Sequence, residues 1–136
     1  MLVTLAMLWG CGGGGGATPT AVAVASKGTV TITSSGSGKY IVQANDIQNV
    51  YGIQLDVKYD GSSPSLPTVV KGGFISGAFM EANPSVAGNI KIAIVSTTPF
   101  TGSGPIAEIT FPTATAAGNV TISSVQMIDS NGATIQ

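Results

Sequence analysis

The strongest constraint on this chain is an alternation of apolar and polar residues with a period of two, repeated in short runs and nowhere replaced by a helical period. Residues 29–33 read TVTIT, 52–60 read GIQLDVKYD, 89–96 read NIKIAIVS and 106–111 read IAEITF. Successive side chains of an extended strand point to opposite faces, so each run describes a half-buried β-strand. Parity then assigns the faces. Ile53, Leu55, Val57 and Tyr59 point inward, with Gln54, Asp56 and Lys58 outward. Ile90, Ile92 and Ile94 point inward, with Lys91, Ala93 and Val95 outward. In the last run Ala107, Ile109 and Phe111 are inward against Ile106, Glu108 and Thr110.

Further strands are predicted at 40–44, 68–71, 74–80, 120–128 and 133–135. The stretches DGSSPSLP, EANPSVAGN and TTPFTGSGP are predicted loops, because Pro and Gly interrupt a strand ladder. DSNG before residue 133 is a hairpin-turn signal. Eight or nine strands without a helix predict an all-β fold, a two-sheet sandwich with jelly-roll or Greek-key connections.

Ahead of this domain stands MLVTLAMLWG, an apolar run that ends in a small residue directly before Cys11. The run is too short to span a bilayer as a helix. It resembles the signal peptide and lipobox of bacterial lipoproteins. That resemblance implies removal of residues 1–10 and lipidation of the Cys11 thiol, so that the membrane is met through a lipid anchor only. No Lys or Arg precedes the apolar run, which predicts a natural start upstream of Met1. Glycines rather than Asp follow the cysteine, and by the same resemblance this points to the outer membrane or surface of a bacterium. Residues 11–20, with five consecutive glycines, then read as a flexible tether, and 21–136 as one domain.

Composition excludes several classes of function. A formal net charge of −1 with five Lys plus Arg leaves no basic face for phosphates, so nucleic acid is not a predicted partner. Histidine is absent, which removes the commonest proton-transfer group near neutral pH and a common metal ligand. No enzyme activity and no cofactor are predicted. Asp60 with its serine-rich loop, and Asp129 with Asn131, each supply a single carboxylate where a calcium site needs six or more converging oxygens, so turn chemistry is predicted and no metal. Asp56 and Glu108, the one carboxylate pair that invites comparison with a glycosidase, lie at exposed parity with nothing to raise one pKa.

The succession NVYGIQLDVKYD, KGGFISG, NIKIAIVS, GSGPIAEITF and DSNGATI, from about residue 29 to 136, resembles the cohesin domain. The resemblance implies a nine-stranded jelly-roll sandwich that recognises a protein partner, the dockerin module, and thereby assembles polysaccharide-degrading enzymes. It also implies that the partner docks on one flat sheet face. By position that face offers Gln54, Asp56 and Lys58 from one strand and Lys91, Ala93 and Val95 from another. Gly52 and Gln54 stand where some cohesins carry Asn and Asp, and Gly61 replaces the proline of a Tyr-Asp-Pro corner. Carbohydrate binding, found in the same superfamily, is the rival reading. It would use exposed aromatics, and with Trp9 in the leader these reduce to the loop residues Tyr51 and Phe100. A structural envelope lipoprotein, using the sandwich as a spacer, is the third.

Overall fold

The computed structural model describes residues 28–61, 66–113 and 119–135. The leader, Cys11, the glycine tether and the first residues of the domain lie outside them, as do the serines of the 62–65 loop. Six antiparallel strands follow in order: β1 (Thr29–Gly36), β2 (Lys39–Lys58), β3 (Thr68–Lys71), β4 (Phe79–Val86), β5 (Asn89–Thr110) and β6 (Thr121–Ile128). A 3-10 turn at Gly73–Ile75 stands between β3 and β4.

β2 has 20 residues and β5 has 22. Drawn straight, a strand of that length would reach about 66 Å. That is twice the width of a domain of about 100 residues, whose radius of gyration is ~13 Å. Both strands therefore bend, and each serves two layers. The first half of β2 pairs with β1 and with the second half of β5, which in turn pairs with β3. The second half of β2 pairs with β6 and with the first half of β5, which also pairs with β4. The layers are thus β1-β2-β5-β3 and β6-β2-β5-β4, closed on each other by the two shared strands.

The all-β sandwich predicted from the alternation is the observed fold, with a corrected strand count. The runs read as separate strands at 40–44 and 52–60 are two halves of β2, and those at 89–96 and 106–111 are two halves of β5. Of the segments read as loops, 97–105 lies wholly in β5, and of 81–89 the part 81–86 lies in β4 and Asn89 opens β5. Their prolines are tolerated where the ladder is broken: Pro84 sits at a register shift on the edge strand β4, and Pro99 between the Val95 and Phe100 pairings of β5. The strand expected at 74–80 is the 3-10 turn followed by the start of β4. The closing segment at 133–135 makes only an isolated bridge, Ile128 to Thr134.

The bends have a local chemistry. In β2 the register shifts repeatedly between Ala44 and Gly52, where Asp46 and Asn49 hold φ of 50° and 52°. Asp and Asn enter this left-handed region more readily than other side chains bearing Cβ. Amides that leave the ladder there find hydroxyls on the bent part of β5. The Asp46 amide donates to Ser103 Oγ at 2.8 Å and the Asn49 amide to Thr101 Oγ1 at 3.2 Å.

The core lies between the layers. Val42, Ala44, Ala107 and Ile109 from one layer face Ile53, Leu55, Val57, Ile90, Ile92, Ile94 and Met127 from the other, all buried. Phe111 packs edge-on against Tyr40 and Tyr59, with centroids 5.7 and 5.1 Å apart, and so ties the start of β2 to the residue that follows its end. Ile106, assigned outward by parity, is fully buried. The ladder passes from the Val42–Ala107 pair to Gln43–Pro105, and the skipped Ile106 resets the alternation as a bulge does.

Candidate functional site

The six outward residues of the two longest alternating runs meet on one surface, the outer face of the layer β6-β2-β5-β4. Cross-strand register makes this a consequence of pairing, since residues directly opposite each other present side chains to the same face. Gly52 pairs with Val95, Gln54 with Ala93 and Asp56 with Lys91. The flanking strands extend each row. Ile128 and Phe79 flank the first, Gln126 and Glu81 the second, Ser124 and Asn83 the third. Lys58 and Asn89 form a fourth row, with Val86 beside Asn89.

These rows divide by chemistry. The first is apolar: Val95 is 55% exposed and Phe79 67%, and a side chain at Gly52 would meet Ile128 at 2.7 Å, so Ile128 lies over that glycine. The second is uncharged except for Glu81, with the small Ala93 near its centre, and Gln126 is steadied by its side-chain amide donating to Thr134 Oγ1 at 3.1 Å. The third is an ion pair, Lys91 Nζ to Asp56 Oδ1 at 2.8 Å. The Lys91 hydrogen bond holds the Asp56 carboxyl below the ordinary aspartate value; partial burial opposes this, and the charge of Lys91, a hydrogen bond from Asn89 and the charge of Lys58 add to it. A shallow depression of about 300 Å³ lies over Ala93, bordered by Gln54, Asp56, Glu81, Lys91 and Gln126.

Phe79, Glu81 and Ile128 were not among the residues predicted for this face. The signal was present in FMEAN, where Phe79, Glu81 and Asn83 alternate with Met80 and Ala82. Reading a strand that ended at Met80 concealed it.

The other candidates fall elsewhere. Phe100 is a core residue, 8% exposed and paired with Val50, with its ring 6.2 Å from that of Phe74. It is not a loop aromatic open to a sugar, because TTPFTGSGP continues β5 rather than leaving the sheet. Tyr51 is half-buried within β2. Asp56 and Glu108 occupy different layers: Glu108 pairs with Lys39 at 3.1 Å on the outside of β1-β2-β5-β3. Asp129 works as a turn residue, its Oδ1 accepting from the amides of Asn131 at 2.8 Å and Ala133 at 3.0 Å.

Among known proteins, no protein-family profile matches this chain. No curated protein matches it by sequence either. Solved structures do match by fold. A non-cellulosomal cohesin from the archaeon Archaeoglobus fulgidus superposes with a TM-score of 0.64 at 18% identity, covering 81% of this chain and 83% of its own. A cohesin module from a Clostridium perfringens family 33 glycoside hydrolase gives 0.63 at 12% identity, covering 80% and 88%. The sixth cohesin of Acetivibrio cellulolyticus scaffoldin B, solved in complex with a dockerin, gives 0.59 at 18% identity, covering 79% and 90%. The chain therefore has the cohesin fold.

Proposed function

We propose that this protein is a non-catalytic recognition module whose partner docks on the outer face of β6-β2-β5-β4, and that the partner is a dockerin-type module of a secreted protein. The observation that carries this reading is the gathering of Gln54, Asp56, Lys58, Lys91, Ala93 and Val95 on one four-stranded surface, with the exposed Phe79 beside Val95. An exposed aromatic with apolar neighbours, set beside hydrogen-bonding and charged side chains, supplies the two kinds of contact that a protein interface combines. The cohesin fold, and a neighbour of that fold solved with a dockerin, support the choice of partner. Lipidation of Cys11 would hold the module at the bacterial surface, with the glycines giving it reach. Polysaccharide breakdown enters through the enzymes that a dockerin would bring.

Sugar binding by the module itself is the weaker reading, because Phe100, Tyr40 and Tyr59 are engaged in packing, which leaves Phe79 as the one exposed aromatic among the described residues, with Tyr51 half-buried. Titration calorimetry against the dockerin modules encoded in the same genome tests the proposal. Wild-type protein is expected to bind at least one of them, and Ala93→Arg, with its folding checked by thermal denaturation, is expected to lose that binding. Absence of binding throughout, or equal binding by the variant, would overturn the reading; retention on insoluble polysaccharide would favour the rival.

A further inference from the structure

The same face has a property that a docking surface for a foreign partner does not require: its chemistry complements itself. Its four strands stand in the order β6-β2-β5-β4, with β2 and β5 at the centre. A two-fold axis lying in the face, parallel to the strands and midway between β2 and β5, sets each residue opposite the one at the mirrored column of the same row. Asp56 then faces the second copy's Lys91, and Lys91 its Asp56. Gln126, an amide donor, faces the second copy's Glu81. Ile128 faces Phe79, so the exposed apolar row closes on itself. Lys58 faces Asn89.

An axis running across the strands gives nothing comparable, because it sets Lys91 against Ala93 and Asp56 against Gln54. The two lysines of the face, Lys58 and Lys91, balance Asp56 and Glu81, so two such faces carry no net repulsion. Phe79, Val86 and Val95, three of the five large apolar residues exposed among the described residues, all lie on it.

We propose that this face also binds a second copy of the chain, as an isologous dimer about that axis. The four charges at its centre then form an alternating square, with each carboxylate between two ammonium groups. Four strands about 4.8 Å apart and seven residues long offer roughly 400 Å² per copy. A total near ~800 Å² lies below the standard interface and belongs to weak, concentration-dependent association. Self-association competes with any other occupant of the face, so crowding of the protein on one membrane would mask it until a tighter ligand arrives.

The test is sedimentation equilibrium of the full chain carrying Cys11→Ser, which removes thiol chemistry. A monomer–dimer equilibrium with Kd of about 10–1,000 μM is expected from the small area. Asp56→Lys places Lys against Lys across the axis, and Lys91→Asp places Asp against Asp; each is expected to weaken self-association at least tenfold. An equimolar mixture of the two variants restores both cross-pairs and is expected to dimerise like wild type, although each variant has lost its own internal ion pair. Thermal midpoints establish that both variants fold. Wild type that stays monomeric at about 1 mM, single variants that associate as wild type does, or a mixture no tighter than its components would each overturn the proposal. No other protein is present in these samples, so that failure is distinct from failure of the docking reading.

Discussion

Asp56 and Lys91 lie 35 positions apart and meet only because β2 and β5 pair in one register. The alternation told that both point outward; nothing local told that they are opposite each other. With Lys91 68% exposed, the pair contributes little to stability, as exposed ion pairs generally do. Its effect is clearer on titration. A carboxyl whose folded pKa is depressed contributes stability that is present above its unfolded pKa and lost as pH falls through the folded one. Nuclear magnetic resonance titration is therefore expected to place Asp56 below the ordinary aspartate value. Lys91→Met removes both the leading hydrogen bond and the nearest charge, so it should raise the Asp56 pKa and flatten the acid limb of the stability profile. An unchanged Asp56 titration in that variant would show that Lys91 is not the cause.

At the scale of the element, β2 and β5 show where pattern reading stops. Tyr40 to Ala44 and Gly52 to Tyr59 each alternate cleanly, but the register between them shifts three times, so the parity of one half does not extend to the other. Pro99, Gly102 and Pro105 look like loop residues for a sound local reason, since each weakens a ladder. They stand in β5 because its ladder is already interrupted at the bend, and hydroxyls from the same stretch supply what the ladder lacks. Ser103 Oγ both accepts from the Asp46 amide and donates to Asp46 Oδ1 at 3.3 Å. Ser103→Ala is expected to lower the unfolding free energy by about 0.5–1.5 kcal/mol, the usual net worth of a hydrogen bond. Urea denaturation measures it, and Thr101→Val should act in the same direction through Asn49. No change in either variant would mean that water replaces the hydroxyls without cost.

The whole molecule separates two kinds of aromatic residue that composition counts alike. Phe111 is 2% exposed and touches Tyr40 and Tyr59, whereas Phe79 is 67% exposed on the outer face. Phe111→Ala is expected to cost about 3–5 kcal/mol by leaving a cavity between the layers. Phe79→Ala should change stability by no more than about 0.5 kcal/mol, as surface substitutions usually do. Thermal or urea denaturation of the two variants makes the comparison, and a large loss in the Phe79 variant would mean that it supports the core rather than the surface. The sequence by itself determined that the chain is all-β and which residues of the runs at 52–60 and 89–96 face inward, because strand geometry ties side-chain direction to the neighbouring residue and to nothing more distant. It also carried the six central residues of the candidate face. Only the tertiary structure decided that two strands bend to serve both layers, that Ile106 and Phe100 belong to the core, and that Phe79 and Ile128 join the face. Those outcomes depend on cross-strand register, which is set by ladder hydrogen bonds and core packing between segments far apart in the chain.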